Sequence, residues 1–311
     1  MNRRGSDLVQ ANDLLASCRL CPRSCGINRY KARGACGGGS LARVAKVSLH
    51  PWEEPAIAGS EGSLGAGTVF FSGCNLRCVF CQNYEISHYE KGQEVTTEEL
   101  GEIFLLQQSR GAVTLDLVTP THYVPQIIEA AAYAKARGFT LPIVYNSSGY
   151  EAVAAIKMLQ GTVDVYLPDL KYYSKDLSKE YSQAEDYFAV ASEAIKYMVE
   201  QAGSPQLDNR GVMQRGVLVR HMLLPGARHD SMKLLDWLWN SFGDKIYLSL
   251  MSQYTPMYRA GEYKNLKRRL TTFEYESVVE HAEKLGFTQC FVQQRSSATR
   301  AYVPDWQDDG L

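Results

Sequence analysis

The sequence has no excess of either charge: 33 basic residues stand against 34 acidic ones, a formal net charge of -1. That balance makes no global field able to concentrate nucleic acid or an anionic membrane surface, so neither is expected as a partner. No stretch approaches the roughly 20 consecutive apolar residues of a membrane helix. The first twenty residues also lack the long apolar core of a secretory leader, and the expectation is a cytoplasmic protein. Internal repeats and low-complexity tracts are missing, which excludes a solenoid. Cysteine is nearly missing from most of the chain: of eight, seven fall between Cys18 and Cys81, and only Cys290 lies beyond.

What is present is therefore clustered. In a chain without a secretion signal thiols stay reduced, so grouped cysteines read as metal ligands before disulfides. Cys18, Cys21, Cys25 and Cys36 form one group and Cys74, Cys78 and Cys81 another, with no cysteine in the 37 residues between them. The first group has enough thiolates to close a structural zinc site or an auxiliary iron-sulfur cluster, zinc being the simpler reading. Cys290, alone on an expected strand, reads as core.

From about Thr68 onward, β-rich runs alternate with helical stretches, as in repeated βα units around a parallel sheet. Expected strands are Thr68–Gly73, Val113–Val118, Pro142–Asn146, Val163–Leu167, Val217–Leu224 and Ile246–Leu250, with a last one over Thr288–Gln293. Thr96 and Glu99 have capping-box spacing for one helix, a second runs from near Tyr123 to Gly138, and a third over Phe273–Leu285 stops at Gly286. Ser174–Gln201 reads as a long helical excursion. The fold class is α/β, a partial six-unit barrel, with residues 56–311 as the barrel and its C-terminal extension and 1–55 as a cysteine-rich metal-binding segment. Functional groups of such barrels sit in loops after the strand ends.

The loop Cys74-Asn75-Leu76-Arg77-Cys78-Val79-Phe80-Cys81 directly follows the first expected strand. A 4Fe-4S cluster takes one thiolate per iron, so three cysteines leave one iron open to a small chelating ligand. The competing reading is a zinc site of three cysteines completed by His88. The spacing, the aromatic Phe80 before the last cysteine and the preceding strand resemble the radical S-adenosylmethionine (SAM) superfamily. The run Phe71-Ser72-Gly73-Cys74 through Gln82-Asn83 resembles the pyruvate formate-lyase activating enzymes, in particular their shorter homologues.

The resemblance implies a 4Fe-4S cluster on Cys74, Cys78 and Cys81, and reductive cleavage of SAM to methionine and a 5'-deoxyadenosyl radical that abstracts a hydrogen atom. It implies Phe80, Asn146, Ser147, Ser148, Asp169, Lys171, Arg220 and Gln253 as cofactor-binding residues. Where the family has a Gly-Gly-Glu stretch, this chain has Leu117 to His122, so Thr119 and Thr121 are expected to supply acceptors instead. Tyr123, Tyr145 and His122 are candidate lining residues. Implied partners are a reductant such as flavodoxin or ferredoxin and a glycyl radical enzyme or peptide substrate. The alternatives are radical modification of another peptide or a small molecule, and a non-catalytic zinc-binding adaptor.

Overall fold

The computed structural model describes residues 14–89, 91–293 and 306. Its strands are β1 (Ala42–His50), β2 (Ala66–Phe71), β3 (Gln93–Val95), β4 (Leu115–Val118), β5 (Ile143–Ser147), β6 (Val165–Pro168), β7 (Gln206–Leu207), β8 (Met213–Met222), β9 (Tyr247–Met251) and β10 (Cys290–Val292). They form one sheet in the order β10-β9-β8-β6-β5-β4-β2-β1-β3, with β7 beside β8. From β2 to β10 along this path every pairing is parallel, so the expected α/β sheet is present with all seven of its expected strands.

Three further strands were not anticipated, β1, β3 and the short β7. β1 and β3 add antiparallel to the β2 edge, so the sheet takes in residues from before position 55, where the sequence suggested a division.

The helices are α1 (Thr97–Ser109), α2 (Val124–Lys135), α3 (Val153–Met158), α4 (Lys175–Ser182), α5 (Tyr187–Ala202), α6 (Arg228–Phe242) and α7 (Thr272–Leu285). Both bonds of the Thr96–Glu99 capping box form at the start of α1, and the same device, Thr271 with Glu274, opens α7. The excursion over Ser174–Gln201 is two helices rather than one. Gln183 ends α4 in the left-handed region (φ 51°), and the turn that follows redirects the chain into α5.

Side chains alternate across each strand and divide the core in two. One set, including Leu115, Leu117, Tyr145, Val219 and Leu250, packs outward against helix residues such as Phe104, Ile127, Ile195, Leu234 and Val278. The other set, Ala66, Val144, Val165, Leu167 and Leu218, points inward and meets Ala56 and Ile57 from the single helical turn Pro55–Ala58. That apolar plug fills one end of the barrel. Polar residues at the C-terminal strand ends occupy the other.

Candidate active site

The three-cysteine loop leaves β2 through Gly73, which has φ +87°. A Cβ at this position would stand 2.2 Å from the carbonyl oxygen of Cys36, so only glycine lets the backbones approach. That carbonyl accepts the N–H of Cys74 at 3.0 Å.

Each of the three sulfurs has a polar partner. The Leu76 N–H donates to Cys74 Sγ at 3.4 Å, the Ser182 hydroxyl donates to Cys78 Sγ at 3.1 Å, and the Cys81 thiol reaches Ser87 Oγ at 3.5 Å. Tyr172 OH and Ser182 Oγ are 2.6 Å apart, extending the contact to Cys78. Burial pushes the Cys78 thiol up and the Cys81 thiol up to about 12, so these two bare thiols hold their protons at neutral pH. A metal loaded here must displace those protons, which makes loading pH-dependent. Phe80 is buried edge-on to Tyr172 and Tyr254.

The loop forms one wall of a cavity of about 620 Å³, inside the roughly 300–1,000 Å³ range of ordinary cofactor sites. Cys74, Cys78 and Cys81 line it, and so do Phe80, Asn146, Ser147, Ser148, Asp169, Lys171, Arg220 and Gln253. Residues spread over 180 positions of sequence thus meet because successive parallel strands end at one mouth.

Arg220 organises the polar side. Its guanidinium donates to Asp169 at 3.0 Å, to Glu53 at 3.0 Å and to Asn146 Oδ1 at 2.6 Å. Lys171 lies 2.5 Å from the other Asp169 oxygen. Burial alone would raise the Asp169 carboxyl, but Lys171 and Arg220 outweigh it and hold the group below its usual range. Burial would likewise lower the Lys171 ammonium, and Asp169 with Cys78 reverses that. Gly149 (φ +74°) brings the turn after β5 against β6, where a Cβ would stand 2.3 Å from the Asp169 carbonyl. Tyr187 locks the same place, its hydroxyl bonding the carbonyls of Ser148 and Asp169 at 2.8 and 2.9 Å.

Several expected placements are corrected. Thr119 lines the cavity, but Thr121 turns away and donates to Glu151 at 2.6 Å. Tyr145 bonds the other Glu151 oxygen at 3.1 Å from the core, Tyr123 is buried under Arg29, and His122 Nε2 pairs with the Ser72 carbonyl at 2.8 Å. None of these three lines the cavity, because their strand and turn positions face the outer layer. His88 stacks on Tyr258 at 4.6 Å, reaches the Cys78 backbone and lies outside the cavity lining.

Two carboxylates of the lining escaped the sequence reading, Glu53 and Glu54, in the turn after β1, and Cys290, read as core, borders the cavity too. Burial raises both carboxyls and that of Asp116 beside them. Glu54 Oε2 and Asp116 Oδ1 have no hydrogen-bond partner among the described residues. Glu151, buried between Thr121 and Tyr145, was missed as well, and burial lifts it to about 7.

The N-terminal cysteines lie outside the cavity lining. Cys18, Cys21 and Cys36 are buried and Cys25 is exposed. Backbone N–H groups reach three of the sulfurs: Arg23 to Cys21, Ile27 and Ala35 to Cys25, and Gly38 to Cys36 at 3.4 Å. Among the described residues no group of three or more His, Cys, Asp or Glu side chains is arranged to hold a metal ion. No helix among them is long and apolar enough to cross a membrane.

An uncharacterized protein of Methanocaldococcus jannaschii is 28% identical over 283 residues, 88% of this chain and 76% of the relative. A second uncharacterized protein of that organism is 25% identical over 173 residues, half of its own length. Among solved structures, a radical SAM methyltransferase from Sphaerobacter thermophilus superposes with a TM-score of 0.51 at 15% identity, over 73% of this chain and 66% of that one. Streptococcus suis SuiB, bound to the precursor peptide SuiA, gives 0.50 at 11% identity, over 71% and 46%. The chain therefore spans from just under two thirds to less than half of these solved chains, and at such identity the likeness concerns the fold. A family model described as the radical SAM superfamily matches residues 68–238, more than half of the chain, starting in β2 and taking in the cysteine loop and most of the cavity. With that match laid over a cavity where three cysteines meet the ends of parallel strands, the chain belongs to the radical SAM superfamily.

Proposed function

We propose that Cys74, Cys78 and Cys81 hold a 4Fe-4S cluster whose open iron binds SAM, and that the enzyme uses the pair to abstract a hydrogen atom from a partner polypeptide. The observation that carries this reading is the single cavity shared by the three thiols and the polar ends of four strands. The donor set fits the cluster by its chemistry and its shared cavity, although the three side chains are not gathered about one point. Three thiols sit on one loop, each beside a hydroxyl or N–H, as sulfurs need when they carry charge in a partly buried site. When bound, the two cofactors supply one-electron reductive cleavage of a carbon-sulfur bond and so a 5'-deoxyadenosyl radical.

The protein's own residues bind, orient and shield. Lys171 and Arg220 offer cationic donors to a carboxylate, and Arg220 is held in place by Asp169 and Glu53. Asn146, Ser147 and Ser148 present amide and hydroxyl groups to a ribose or an amino acid end. Phe80, Phe70 and Val118 keep water from part of the wall. The reductant is a flavodoxin or ferredoxin. The spacing of the four N-terminal cysteines, in the segment 1–55, supports a second metal site, zinc or iron-sulfur, whose side chains must gather on loading.

The first substrate reading is a glycyl radical enzyme, supported by the sequence around the cysteine loop. Anaerobic reconstitution followed by reductant and SAM tests the enzyme, with 5'-deoxyadenosine and methionine as products. A glycyl radical signal by electron paramagnetic resonance on a candidate partner tests the substrate. Absence of 5'-deoxyadenosine with only zinc bound would leave the adaptor reading. One observation favours a second substrate reading, another peptide or a small molecule. Glu53 and Glu54 bring two carboxyls to the cavity lining, so a substrate bringing an amine or other donor suits this wall. Labelled hydrogen transfer from an amine-bearing metabolite into 5'-deoxyadenosine would select it.

A further inference from the structure

Beside the backbone bond from Cys74 to Cys36, the N-terminal cysteine segment grips the cluster loop through the Arg23 side chain. Arg23 sits between Cys21 and Cys25, and its guanidinium donates to four backbone carbonyls far away in sequence. Two belong to the cluster loop, Asn75 at 2.9 Å and Leu76 at 3.4 Å. The other two, Ser182 at 3.1 Å and Gln183 at 2.6 Å, belong to the C-terminal end of α4. The same group lies over the Tyr150 ring at 5.3 Å.

Both carbonyl pairs matter to the sulfurs. Asn75 and Leu76 lie between Cys74 and Cys78, and the Leu76 N–H is the donor to Cys74 Sγ. Ser182 is the residue whose hydroxyl donates to Cys78 Sγ. The Val79 N–H, bonded to the Tyr181 carbonyl at 2.9 Å, is a second tie between the loop and α4. The last carbonyls of a helix have no partner within it and carry its negative end, so a cation there is doubly favoured. Only a guanidinium has enough donors, in a fixed planar fork, to hold two chain segments at once; an ammonium on a flexible stem does not.

We propose that Arg23 is a positioning residue for the radical chemistry: it fixes the cysteine loop against α4, and so sets the hydrogen bonds that Cys74 and Cys78 receive and the reduction behaviour of the cluster they hold. The proposal rests on the reading of Cys74, Cys78 and Cys81 as cluster ligands. Hydrogen bonds to ligand sulfurs tune a cluster's potential, and loss of such outer partners typically costs roughly 10–100-fold in metal affinity or activity.

The test compares wild type with Arg23→Ala, Arg23→Gln and Arg23→Lys in the full chain, reconstituted anaerobically. Iron and sulfide per chain, the paramagnetic resonance spectrum of the reduced cluster, its midpoint potential, and 5'-deoxyadenosine per bound cluster are measured beside the circular dichroism melt. The expected result is a folded Arg23→Ala protein with an altered spectrum, a shifted potential and turnover per cluster lower by roughly 10–100-fold. Arg23→Lys should recover part of the loss and Arg23→Gln less. A wild-type spectrum and potential in Arg23→Ala overturns the proposal, as does a failure of all three variants to fold, since Arg23 would then serve the fold alone. If wild type itself assembles no cluster, the reading of the three cysteines has failed instead.

Discussion

The two cysteine groups make an instructive pair. Both are dense, both follow metal-ligand spacing, and in both backbone N–H groups reach sulfur. What separates them is where the chain puts them. Cys74, Cys78 and Cys81 follow a parallel strand and so open onto the common mouth of the barrel, whereas Cys18, Cys21, Cys25 and Cys36 precede the sheet and lie off the cavity. Spacing announces a thiolate site. Topology decides whether that site meets a reaction space.

The sharpest way to break this contrast is substitution on both sides. Cys78→Ala should abolish SAM cleavage and remove the iron held at the loop, while Cys25→Ala should leave that iron bound; iron analysis and 5'-deoxyadenosine assay on each variant check it. Equal loss from the two would erase the distinction. The join between the groups is tested by Gly73→Ala. With φ +87° and the Cys36 carbonyl in the space a Cβ needs, the backbone must move, and a strained left-handed position costs about 1–3 kcal/mol before that clash is added. Thermal unfolding should show a loss larger than that of Gly138→Ala, where nothing lies within 4 Å.

The polar side of the cavity should respond to Arg220→Met by about 3–5 kcal/mol, the usual cost of removing one partner from a buried pair, because Glu53 and Asp169 are left facing each other. Urea unfolding measures it.

A pH effect comes from Glu151. Its carboxyl is lifted from 4.5 to about 7 by burial, so the folded protein favours the protonated form. Stability from this group is full below pH 4.5 and falls as pH rises toward 7, by about 3 kcal/mol in all. Glu151→Gln should flatten that decline and be the more stable protein at pH 8. The smallest effect expected is Thr96→Ala, about 1 kcal/mol from one lost cap at the start of α1.

The parallel strands could be read from the sequence because each is a short β-rich run bounded by turn residues, and the cysteine loop because spacing and strand context coincide. Asn146, Asp169, Lys171 and Arg220 were legible through the family resemblance, supported by their recurrence at successive strand ends. Glu53 was not legible, since it reaches Arg220 across 167 positions and no local pattern records that. Ser182 was equally silent, 104 positions from Cys78 and inside what reads as continuous helix. β1 was overlooked because it pairs antiparallel and precedes the repeating units. Thr121 shows the opposite failure: a hydroxyl at a plausible position, carried by the tight turn Thr121–Tyr123 toward a buried carboxylate that the sequence had not singled out.

Among the described residues the sheet ends in β3 on one side and β10 on the other, each only three residues long. So short a rim offers a neighbouring molecule few free backbone groups on which to add a strand. A protein at high concentration gains from this. Its outermost strands give intermolecular β-association little to start from.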